Sequence, residues 1–117
     1  MKRIILQHID QLLISALEDE GYSVLSILST DNILEEARRF KPHVIMLDFD
    51  EPDSSASCRM IRSRFPNTAL IALSSGHLIA GKHSECGFNG YIARPVTINR
   101  LSSVMEIFSL SSLAEAS

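Results

Sequence analysis

The sequence predicts an α/β domain built on a parallel sheet covered by helices on both faces, and three observations lead there. Val44-Ile45-Met46-Leu47 is an unbroken apolar run without alternation, the pattern of a strand buried on both sides. Ile4-Ile5-Leu6 and Ala69-Leu70-Ile71-Ala72-Leu73 repeat it. Between such runs lie stretches of helical periodicity, and the β-α order recurs five times with short connections, which only parallel strands with crossover helices accommodate.

The elements follow in order. Arg3 to Gln7 is the first strand, with His8-Ile9-Asp10 at its end, and Asp10 is placed to cap a helix over Gln11 to Glu20. Leu12, Leu13, Ala16 and Leu17 are its inward positions, and Gly21 supplies the left-handed stop. Tyr22 to Leu28 alternates as a second strand. Ser29 or Thr30 caps a helix through Phe40, with Ile33, Leu34, Ala37 and Phe40 inward, and Lys41-Pro42 ends it. The third strand runs from Val44 into Asp48, and Pro52 prevents continuation of its ladder.

A Ser-rich turn then leads to a helix over Cys58 to Phe65, whose three arginines read as a solvated face. Ala69 to Leu73 is the fourth strand, with Ser74-Ser75-Gly76 at its carboxyl end. A weaker helix over Leu78 to Cys86 contains Gly81 and stops at Gly87, and Gly90 to Ala93 is a short fifth strand before Arg94-Pro95. Thr97 caps a final helix with the stripe Ile98, Leu101, Val104, Met105 and Phe108. The domain is assigned to residues 1–110, and 111–117 to a tail or the start of a linker.

Composition narrows the function. A chain of 117 residues that is 45% hydrophobic makes one domain with one core. A net charge of −3 provides no basic field for nucleic acid or an anionic membrane, and no apolar run reaches the length of a membrane span. Cys58 and Cys86 read as core-filling thiols, and with no signal peptide in view a cytoplasmic location is expected. No two of His8, His43, His77 and His83 have a helix-face or hairpin ligand spacing, so a histidine metal site is not expected.

In such a sheet the strand ends converge. His8, Asp48, Ser74 and Arg94 come to one edge although they are far apart in sequence. An imidazole, an acid, a hydroxyl and a guanidinium around one point suit an anion or phosphoryl group. A carboxylate fused to the last core residue of a strand needs partners there, because an unpaired buried charge is costly.

Asp48 four residues before Pro52, Ser74 ending the fourth strand, and Tyr91 three residues before Arg94-Pro95 together resemble the receiver domain of bacterial two-component response regulators. The likeness covers nearly the whole chain. It implies a flavodoxin-like, CheY-like (βα)5 fold with strand order 2-1-3-4-5. It also implies that Asp48 stands at the phospho-acceptor position, that Ser74 and Tyr91 are the switch residues, and that Arg94 stands where the family has Lys. Two departures follow. The family's adjacent acids after the first strand, which bind Mg²⁺, are matched by His8-Ile9, so Mg²⁺ binding is expected to be weak or absent and no cofactor is assigned. Arg94 keeps the positive charge in a longer, planar group able to pair with Asp48, and Asp50 is expected to point to solvent.

The leading expectation is therefore a degenerate, non-enzymatic receiver acting as a protein-interaction switch with impaired Mg²⁺-dependent phosphorylation. Its expected partners are a histidine kinase or another signalling protein, an output domain if the chain continues after Ser117, and a second copy through a face containing Tyr91, Ile98 and Leu101. Neither nucleic acid nor membrane is expected as a direct partner. Two alternatives stand beside it: a working phospho-acceptor at Asp48, and a haloacid-dehalogenase-like phosphatase using the Asp48-Phe49-Asp50 pair. Against the latter are Pro52, the short chain and a motif that does not open the sequence.

Overall fold

The computed structural model describes residues 2–7, 10–50, 54–75 and 87–116, with 108–116 as backbone only. Five parallel strands form one sheet in the order β2-β1-β3-β4-β5: β1 (Arg3–Gln7), β2 (Ser23–Ile27), β3 (Val44–Asp48), β4 (Ala69–Ser74) and β5 (Gly90–Ala93). The described helices are α1 (Gln11–Asp19), α2 (Ile33–Phe40), α3 (Ser54–Arg64) and α4 (Ile98–Ala116). The expected helix over Leu78 to Cys86 lies outside the described residues, as do His8, Ile9 and Pro52.

Strand parity divides the core in two. Ile4, Leu6, Val44, Met46, Ile71 and Leu73 pack on one face with Ile14 and Leu17 of α1 and Leu101 and Met105 of α4. Ile5, Ile45, Leu47, Leu70 and Ala72 pack on the other with Ile33 and Ala37 of α2 and Cys58 and Ile61 of α3. Successive side chains of an extended chain point to opposite faces, so a run without polar interruption is what a sheet covered on both sides demands. Asp10 caps α1 as expected, accepting from the Leu12 N–H at 2.9 Å, and the Thr97 hydroxyl accepts from Arg100 N–H at 3.3 Å. Ser102 of α4 donates to Glu20 beyond α1 at 2.9 Å, linking the two helices that share a face.

Several local expectations change. Leu12 is 78% exposed: the buried positions of α1 are Ile14 and Leu17, and Leu12 is turned about 200° from Ile14 around the helix. The residue before α2 is Asn32, not Ser29 or Thr30; the Ser29 hydroxyl accepts instead from Asp31 N–H at 3.1 Å in a local turn. Lys41, in the left-handed region at φ 53°, ends α2 before Pro42.

α3 begins at Ser54, four residues before the expected Cys58, because its serines face inward rather than forming a turn. Ser54 and Ser57 are buried, and their hydroxyls donate to Phe49 O at 3.2 Å and Thr30 Oγ1 at 3.1 Å. Arg62 is not part of a solvated face. Its guanidinium donates to Pro66 O at 3.0 Å, Thr68 O at 2.9 Å, Gly87 O at 3.1 Å and Asn89 Oδ1, tying the entry of β4 to the entry of β5. α4 continues through Ala116, past residue 110, with no Gly or Pro to stop it and Leu and Ala among the added residues.

Candidate functional site at the carboxyl edge of the sheet

β3 and β4 run in register from Val44↔Ala69 to Asp48↔Leu73, and β4 and β5 to Ser74↔Ala93. Asp48 and Ser74 thus end adjacent strands, and Arg94 follows directly, its N–H donating to Ser74 O at 2.9 Å. Asp48 is only 8% exposed. Its N–H donates to the side-chain Oε1 of buried Gln7, at the end of β1, at 2.9 Å. Its Oδ1 accepts from Asp50 N–H at 2.9 Å, which turns the chain as it leaves the strand.

That turn brings the Asp50 carboxylate to the site while its side chain, expected to point to solvent, stays 39% exposed. Its Oδ1 accepts from the Ser74 hydroxyl at 2.7 Å; its Oδ2 accepts from Ser75 N–H at 3.2 Å, the Ser75 hydroxyl at 3.1 Å and Arg94 Nη1 at 2.9 Å. The same Arg94 nitrogen lies 3.3 Å from Asp48 Oδ1. The Ser74 hydroxyl foremost, with Ser75 and Arg94 adding to it, holds the Asp50 carboxyl below the usual carboxylate range against a smaller opposing effect of burial.

The structure therefore brings together Asp48, Ser74 and Arg94 of the expected set and adds Gln7, Asp50 and Ser75; His8 and Ile9 lie outside the described residues. Gln7 had a signal, a polar residue at the end of an apolar strand. Asp50 had only its two-residue offset from Asp48, which an acidic turn explains equally well. Among the described residues no three His, Cys, Asp or Glu side chains converge as a metal site would need.

Tyr91, on β5 beside Ala72, is 40% exposed. Leu101 is wholly buried in the core, and Ile98 packs against that core. The face expected to hold a second copy therefore lacks Leu101, whose place in the helical stripe served the interior.

No family model matches the chain, and no curated protein sequence matches it. Solved structures do. NtrX from Brucella abortus, in complex with ADP, superposes with a TM-score of 0.86 at 20% identity, over 99% of this chain and 28% of NtrX. The chemotaxis response regulator CheY4 of Vibrio cholerae gives 0.80 at 19% identity, over 92% of this chain and 98% of CheY4. A two-component response regulator from Clostridium difficile gives 0.82 at 16% identity, over 93% of this chain and 96% of its own. The fold is that of response-regulator receiver domains. This chain spans little more than a quarter of the length of NtrX. Within the receiver fold, Asp48 closes the third strand, Ser74 the fourth, and Arg94 follows the fifth. No described helix is long and apolar enough to cross a membrane.

Proposed function

We propose that this chain is a receiver-type signalling domain that works as a protein-interaction switch, with Asp48 at the phospho-acceptor position and Mg²⁺-dependent phosphorylation impaired. The observation that carries this reading is the bridge from one Arg94 nitrogen to both Asp48 and Asp50. Mg²⁺ requires several oxygen ligands in near-octahedral geometry. At this edge two carboxylates already share a guanidinium and Asp50 is further engaged by two serines; in the sequence, His8 and Ile9, an imidazole and a sec-butyl side chain, stand where the family has acids. These residues do not fit the ion. A phosphoryl group would add about −1.5 to −2 charges beside two carboxylates, with one guanidinium among the described residues to offset them.

Ser74 and Tyr91 take the switch positions in this reading, and the partners are other signalling proteins: a histidine kinase, or an output domain joined to this one. The domain itself is not an enzyme. The phosphatase alternative requires Asp48 and Asp50 as nucleophile and acid, and both are engaged by Arg94. The test is incubation with acetyl phosphate and Mg²⁺ followed by intact-mass measurement. The native chain is expected to stay unmodified; an adduct lost in Asp48→Asn would replace this reading with a working phospho-acceptor.

A further inference from the structure

The two edges of the sheet are not alike. β5 is four residues long and runs straight into Arg94 and Pro95, a charge and a ring of the kind that keep an edge strand from recruiting another. β2, at the opposite edge, has no such device: Tyr22 to Leu28 contains no charged residue, no Pro and no Gly, and no described strand pairs with its outer side. The Ser23 N–H donates to Lys2 O at 2.8 Å, so Ser23, Leu25 and Ile27 turn their main-chain groups toward β1, and Val24 and Ser26 turn theirs outward. Beside this free edge, between β2 and α2, lies an open groove of about 370 Å³ lined by Leu25, Asn32, Glu35, Glu36, Arg39 and Phe40. Leu25 and Phe40 supply its apolar lining and pack against the core cluster. Glu35 is paired with Arg38 and Arg39 of the same helix, whereas half-buried Glu36 has no ionic partner among the described residues.

We propose that the free edge of β2 and the groove beside it are a docking site for an extended segment of a partner protein, which adds to the sheet as a strand and carries a large apolar side chain with a Lys or Arg at the next-but-one position. Each part of the site selects that chemistry. The outward N–H and C=O groups of Val24 and Ser26 are satisfied by an extended main chain laid alongside them. Side chains of an added strand alternate between faces, so every second one lies on the side where Leu25 faces α2. There an apolar group covers Leu25 and Phe40, and a cation next to it on the same face meets Glu36. A second copy of this chain fits less well. Two β2 strands paired antiparallel about a two-fold axis set groove against groove, leaving both unfilled, and bring the glutamates at the middle of one α2 toward those of the other. β1 separates this edge from β3, so docking here does not engage Asp48 and stands whether or not that residue accepts a phosphoryl group.

The experiment is amide NMR of the full chain titrated with two end-blocked peptides, Thr-Lys-Val-Phe-Val-Lys-Thr and Thr-Lys-Val-Leu-Val-Lys-Thr, and with the same pair carrying Glu for Lys. Both Lys residues share a face with the central apolar residue, so either strand direction serves. At least one Lys peptide should give saturable shifts at Val24, Ser26 and Asn32 to Arg39 at up to millimolar concentration, with slowed hydrogen exchange at the Val24 and Ser26 N–H groups. Its Glu counterpart should bind about threefold more weakly or worse, the size of an exposed ion pair. Glu36→Lys, on the outer side of α2, should reverse that preference. Ser26→Pro should abolish binding, and it is compatible with the fold because the Ser26 N–H lies outside the ladder to β1. No saturable response to either Lys peptide, unchanged exchange at Val24 and Ser26, an unaltered preference in Glu36→Lys, or binding retained by a folded Ser26→Pro chain would each overturn the proposal. Sedimentation of the chain alone checks the other occupant: self-association that Ser26→Pro removes would give this edge to a second copy and overturn the partner segment.

Discussion

Arg94 Nη1 lies 2.9 Å from Asp50 Oδ2, closer than the 3.3 Å that separates it from Asp48 Oδ1. Asp48, at the end of the third strand, is thus the second partner of the guanidinium, and the acid two residues later is the first. Asp50's side chain is 39% exposed, so its pair with Arg94 is screened and adds little to stability by itself. Its effect is positional. It sets Arg94 across the mouth of the site and places a carboxylate among the donors of Ser74 and Ser75.

The double-faced core makes a first prediction. Ile45 and Leu73 are wholly buried on opposite faces of the sheet. Truncation of either to Ala should cost about 2–5 kcal/mol through the cavity left behind. Urea unfolding midpoints measure it, and a loss below about 1 kcal/mol at both positions would contradict a sheet buried on both sides.

A second prediction concerns pH. The Arg3 N–H donates to His43 Nδ1 at 3.0 Å, which requires a neutral ring with its proton on Nε2. Burial first, then the charges of Arg3 and Lys2, push the imidazole below the usual histidine range. The folded state therefore binds fewer protons than the unfolded one. The contribution of His43 is present in full above about pH 6.5 and is lost as pH falls through the lowered value. Stability of the native chain should drop more steeply between about pH 7 and about pH 5 than that of His43→Asn, which keeps an acceptor and does not titrate. Parallel curves would contradict the assignment.

Much of this architecture was legible because its signals are local. Val44 to Leu47 and Ala69 to Leu73 carry no polar residue to suggest an open face, and Asp10, Gly21 and Thr97 mark the ends of α1 and the start of α4 with ordinary turn and cap chemistry. What escaped depends on tertiary partners. Ser54 and Ser57 look like turn formers until Phe49 O and Thr30 are set against them. Arg62 looks solvated until Gly87 and Asn89, far along the chain, supply acceptors. Leu101 has the same periodicity whether its stripe meets a second copy or its own sheet. At the site, the ends of β3 and β4 could be placed from topology alone, but the inward turn of Asp50 depends on Asp48 accepting its N–H.

In the proposed reading the carboxyl edge of the sheet is closed from within by Arg94 and Asp50 and does not respond to the ligands of a working receiver. Its most direct test is amide NMR of the native chain titrated with Mg²⁺ and then beryllofluoride, alongside a variant carrying His8→Asp with Ile9→Asp. Asp48, Ser74 and Tyr91 are expected to keep their native shifts at millimolar Mg²⁺ and after beryllofluoride, with any response confined to the variant. A saturable native response at those three residues would contradict it.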